Sequence, residues 1–69
     1  MNLDAAKKKV KSYLGIHHKF IYRGVRNQIE EFEGKIVECY PSIFIIETVD
    51  NTIKSFTYSD FIIRNIKII

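Results

Sequence analysis

The sequence has no tryptophan, one cysteine, one proline, one methionine and three glycines. With Cys39 as its one thiol, the chain can form no internal disulfide. One cysteine and the adjacent His17 and His18 are too few for a tetrahedral zinc site within the chain. The longest apolar run, Ile43 to Ile46, has four residues, against the ~20 that a membrane-spanning helix needs. The scattered glycines leave no phosphate-cradling loop. At 69 residues there is room for one domain, of a size at which a single core barely suffices. An enclosed catalytic cleft is therefore not expected. The lone thiol and the lack of a signal-peptide pattern fit a reducing, cytoplasmic setting.

Isoleucine and charge are what the chain has in plenty. Thirteen isoleucines lead us to expect an interior of dense β-branched packing. The net charge of +3 conceals an uneven distribution. Residues 1–26 carry a balance of +6, residues 27–60 of −5 and residues 61–69 of +2. A basic segment followed by an acidic one suggests a two-signed surface and raises the prospect of a nucleic-acid or protein-binding face.

Leu3, Ala6, Val10, Tyr13 and Leu14 follow helical spacing, so a helix is expected over 3–14. Asn2 suits its N-cap and Gly15 its C′ position. From Ile16 the period becomes two, with His18, Phe20 and Tyr22 on one face of a strand and Lys19, Ile21 and Arg23 on the other. Gly24 to Asn27 reads as a turn. A long β stretch runs from Gln28 to Tyr40, bent or bulged at Gly34. Tyr40-Pro41-Ser42 is a turn. Ile43 to Val49 reads as a central strand, Asp50-Asn51 as a two-residue hairpin turn, and Thr52 to Tyr58 as the returning strand. Ser59-Asp60 suggests one 3₁₀ turn before a last strand over Phe61 to Ile69. One helix and five short strands with tight connections predict a mainly β domain over residues 1–69, an SH3-like or Sm-like small barrel with an N-terminal helix. A five-stranded OB-type barrel is the alternative.

No catalytic constellation emerges, and no enzyme, cofactor or metal is expected. His17 and His18 point to opposite faces of their strand. Cys39 reads as a small buried hydrophobe. Glu31 and Glu33 share a face that Glu30 does not. A basic binding surface is the stronger candidate, formed by Lys7, Lys8, Lys11, Lys19, Arg23 and Arg26, with Tyr13, Phe20 and Tyr22 interleaved. Such cations would neutralise phosphates, and exposed aromatics would stack on bases. The Ile66 to Ile69 stretch offers an apolar edge that could pair with another subunit, giving a homo-oligomer.

The stretch Gly34-Lys35-Ile36-Val37-Glu38-Cys39-Tyr40-Pro41-Ser42-Ile43-Phe44-Ile45-Ile46, followed by Ser55-Phe56-Thr57-Tyr58-Ser59-Asp60, resembles the Veg protein family. The Lys-rich helix, Gly15 and the basic turn at Gly24 are also similar to it, so the resemblance covers nearly the whole chain. It implies an SH3-like barrel in a small cytosolic protein of Gram-positive Firmicutes. It also implies a non-enzymatic role in stimulating biofilm formation, by antagonising a transcriptional repressor of matrix genes. Within that pattern Gly34, Tyr40, Pro41, Ser42, Phe44, Tyr58, Ser59 and Asp60 are expected to hold corners of the fold rather than to touch a partner.

Overall fold

A computed structural model describes residues 2–24 and 28–69. Helix α1 (Leu3–Ser12) is followed by β1 (His17–Arg23), β2 (Ile29–Cys39), β3 (Ile43–Thr48), β4 (Ile53–Thr57), the short helix α2 (Tyr58–Ile62) and β5 (Ile66–Ile68). The five strands form one antiparallel sheet in the order β4-β3-β2-β1-β5. Thus β2, not β3, is the central strand.

Asn2 caps α1 as expected, its side-chain oxygen accepting from the Ala5 N–H at 2.8 Å. The helix ends earlier than the apolar spacing suggests. Tyr13 is the C-cap, and Gly15, at φ +77°, lies two residues beyond it. There the Gly15 N–H leaves the helix and donates to the Ile36 carbonyl at 2.8 Å. This bond hands the chain to β2 before the stripe can continue, so Leu14 stays exposed.

The sheet is strongly curled. The rings of Tyr22 on β1 and Phe56 on β4 lie 5.0 Å apart, although β2 and β3 run between those strands. In a flat sheet the two strands would be about 14 Å apart. Two features of β2 permit the curl. Its pairing with β3 shifts register between Ile36 and Glu38, which makes a bulge at Val37. Gly34 is a separate device: the backbone of β3 comes so near it that a Cβ there would meet the Glu47 carbonyl oxygen at 2.4 Å.

The expected closed barrel does not form. No ladder joins β4 to β5 among the described residues, and β5 spends its three residues on β1. The cause lies at Thr57. Its side chain accepts from the Asp60 N–H at 3.1 Å, while Asp60 accepts from the Thr57 N–H at 3.3 Å. This capping box starts a helix where a strand was expected. Residues 58–62 are therefore helical, Arg64 turns the chain at φ 64°, and the expected strand over 61–69 shrinks to Ile66–Ile68. Thr57→Ala should cost about 1 kcal/mol in urea denaturation and Thr57→Ser much less; equal losses would show that the hydroxyl does not matter.

The β3–β4 connection also differs from a two-residue turn. Thr48 and Thr52 are tied by the Thr48 N–H donating to the Thr52 carbonyl at 2.9 Å, and Asn51 takes φ 67° between them. This is a three-residue loop whose last residue is left-handed, a position that asparagine tolerates. Thr48 is buried at the apex, donating to Asp50 and accepting from the Thr52 N–H at 3.1 Å. The bond from Thr48 holds the Asp50 carboxyl below its ordinary pKa.

The core contains Ala6, Val10, Phe20, Ile36, Phe44, Ile46, Phe56, Tyr58 and Ile66. Isoleucine is thus not its main material, since only three of the thirteen are in it. Aromatic rings fill the concave side: Phe20 stacks on Phe32 at 5.4 Å, Phe32 on Phe56 at 6.0 Å, and Phe44 packs on Tyr58 at 5.5 Å. A sheet curled over so short a span needs long-reaching side chains, and rings supply the area.

Candidate interaction surface

Two short motifs meet at one corner of the fold. Pro41 and Ser42 make the turn between β2 and β3, closed by the Tyr40 N–H donating to the Ile43 carbonyl at 2.8 Å. Tyr58, buried at the start of α2, donates its hydroxyl to the Tyr40 carbonyl at 2.7 Å. The Tyr58 N–H reaches the Ser42 carbonyl at 3.4 Å. Phe44 carries the ring beneath, and Asp60 belongs to the capping box. Burial pushes the Tyr58 phenol pKa up, and the neighbouring Cys39 thiol adds to the shift. Tyr40 itself is exposed and donates to Glu38, which raises its phenol pKa too. Of this group only Tyr40, Pro41, Ser42 and Ser59 present side chains outward.

The titratable side chains are dispersed. His17 faces outward, 4.0 Å from Glu33. His18 faces inward between Tyr13 and Phe20, with its Nε2 buried and unpartnered. Glu30 lies on the concave side and pairs with Lys54 at 3.7 Å, while Lys54 also covers the Phe32 ring. Glu31 and Glu33 take the outer side of β2, opposite Ile21 and Lys19 of β1. Cys39 is free and half-buried. Among the described residues no three His, Cys, Asp or Glu side chains are grouped to hold a metal ion.

Of the six cations of the expected basic surface, the five among the described residues are divided between α1 and β1. Lys7, Lys8 and Lys11 follow one another around one flank of α1 at about 100° per residue. Lys7 is half-buried, its ammonium 5.9 Å from the Tyr58 ring centroid. Lys8 and Lys11 are exposed. Lys19 and Arg23 project from the outer face of β1, where Lys19 stands opposite Glu33 and the β2 acids interrupt the positive field. Arg26, with the expected turn over 24–27, falls outside the described residues except for Gly24. Tyr13, Phe20 and Tyr22 do not form an outward stacking platform. Phe20 is fully buried, and the other two pack against the core.

A different set of cations converges where the linear order gave no hint. Lys9 leaves α1 on the opposite side of the buried Ala6–Val10 stripe from Lys7. With Arg64 and Lys67 it lines a groove of ≈380 Å³ between α1, α2 and β5. Tyr13, Ile62 and Ile68 supply its apolar floor. Among the described residues no carboxylate lies within ion-pair distance of these three cations.

A family model described as biofilm formation stimulator VEG matches residues 1–69, the full length of the sequence. Comparison with curated proteins yields no match.

Proposed function

Because the chain belongs to the VEG family of biofilm formation stimulators, we propose that it is a small, non-enzymatic cytoplasmic regulator of gene expression. It acts by binding a protein partner, such as a transcriptional repressor, and so promotes expression of biofilm matrix genes. The whole-chain family match carries this reading. The geometry supports it in one respect: the residues most distinctive in sequence, Tyr40-Pro41-Ser42 and Tyr58, are engaged in holding a corner. The Tyr58 side chain and the backbones of Tyr40 and Ser42 are taken up by the corner, while the side chains of Tyr40, Pro41 and Ser42 stay on the surface. An SH3-like reading of the fold belongs to the same proposal, since the last strand returns beside the first in a curled antiparallel meander.

The test is a pull-down from lysate of the source cells, with and without nuclease. A specific protein retained after nuclease treatment is the expected outcome. Retention of nucleic acid alone would overturn it in favour of a nucleic-acid-binding module using Lys7, Lys8, Lys11, Lys19, Arg23 and Arg26. In that case affinity would fall steeply with salt and charge reversal at Lys8 and Lys11 would abolish it.

A further inference from the structure

We propose that the groove between α1, α2 and β5 receives an acidic, extended segment of a partner protein, which adds as a strand to the free edge of β5. The inference rests on the protein-binding reading above and names its site and ligand chemistry.

Three observations converge on it. The first is the ladder. Arg23 N–H donates to the Asn65 carbonyl at 2.6 Å and Ile69 N–H to the Lys19 carbonyl at 2.8 Å. In an antiparallel pair the residues bonded to the neighbour alternate with those facing away. The Asn65 carbonyl and the backbone groups of Lys67 and Ile69 therefore turn to β1, while the Asn65 N–H donates to the Asp60 carbonyl at 2.8 Å; Ile66 is buried, and the half-buried Ile68 turns its backbone groups to the open side. An edge of this kind is a template for another strand.

The second is charge. Lys9, Arg64 and Lys67 stand around that edge with no carboxylate partner among the described residues. Two copies of β5 meeting edge to edge would bring six such cations together, which disfavours a second copy as occupant. A strand with glutamate or aspartate at alternate positions meets them with opposite charge and lays its other side chains on Tyr13, Ile62 and Ile68.

The third is backbone conformation. Arg64 sits at φ 64°, in the left-handed region where glycine or asparagine is less strained. A long cationic side chain held there, at the mouth of a groove, points to a use for its charge.

The probe is a synthetic peptide of alternating glutamate and valine, followed by fluorescence anisotropy and by amide shifts of the whole protein. We expect saturable binding, with the Ile68 amide shifting and becoming protected from exchange. Lys67→Glu should weaken binding about tenfold or more, and so should Arg64→Gly, whose backbone suits the left-handed position and keeps the protein folded. A lysine–valine peptide, or the glutamate–valine peptide N-methylated at alternate residues, should bind at least tenfold more weakly. Equal binding of either control overturns the proposal, as does a response centred away from β5. Oligothymidylate displacing the peptide from the same amide would make the groove a phosphate site instead, and self-association through β5 in sedimentation would give the edge to a second copy; both overturn it. Absence of peptide binding removes the groove alone, because the protein-binding reading is judged separately by the nuclease-treated pull-down.

Discussion

Gly34→Ala is expected to leave most of the protein unfolded. The added Cβ would lie 2.4 Å from the Glu47 carbonyl oxygen and 2.9 Å from Thr48 Cα. Both are backbone atoms of β3, so no rotamer change relieves the clash; the β2–β3 ladder itself has to part. Overpacking costs about 1–3 kcal/mol, and a clash with backbone that no rotamer relieves stands at or above the top of that range. A single core in a chain this short rarely supplies more than about 3–5 kcal/mol. Urea unfolding followed by circular dichroism measures the effect. Gly24→Ala is the control, because its nearest neighbour would be the Tyr22 ring at 3.5 Å, an ordinary contact. If Gly34→Ala unfolds cooperatively within about 1 kcal/mol of the parent, β2 and β3 are not held as closely as described.

Tyr58 should show the second large effect, and its two substitutions separate ring from hydroxyl. Tyr58→Ala removes a ring that is 2% exposed and packed on Phe44. It should cost about 3–5 kcal/mol, again comparable with the whole stability. Tyr58→Phe keeps the ring and removes the bond to the Tyr40 carbonyl, costing about 1 kcal/mol. The two variants also differ in alkali. The folded state holds the phenol protonated, so its contribution is intact below the ordinary phenol pKa of 10.0 and is lost as pH climbs through the raised value. Alkaline destabilisation should therefore be smaller in Tyr58→Phe than in the parent. Identical alkaline profiles, or an alanine variant as stable as the phenylalanine one, would contradict this account of the corner.

Those two residues also mark what can be read in the linear chain. The inward sets of β1 and β4 follow from simple alternation, and Asn2 from its place before a helical stripe. Gly34 stands out as a glycine within a strand, yet alternation alone cannot separate a bulge from a close approach. The bulge is at Val37, set by the β3 register. Thr57 and Asp60 carried the signal for α2, but the apolar run from Phe61 to Ile63 fits strand and helix equally. Hairpin length was hidden because Thr48 and Thr52, not Asp50 and Asn51, decide where pairing stops. Among the described residues, the expected cations are divided between α1 and β1 for a similar reason. Charge summed along the chain ignores the buried stripe that parts Lys7 from Lys9. It also cannot foresee that α2 and β5 bring residues 64 and 67 beside residue 9.

The short ladder of β5 has a kinetic side. It joins residues 19–23 to residues 65–69, so its closure entropy is that of nearly the whole sheet, while only a few hydrogen bonds reward it. Such an element is expected to zip last and open first, and its opening draws Ile66 out of the shared core. A strand laid on its outer edge would hold it shut, so occupancy of the groove and tightening of the final strand become a single equilibrium.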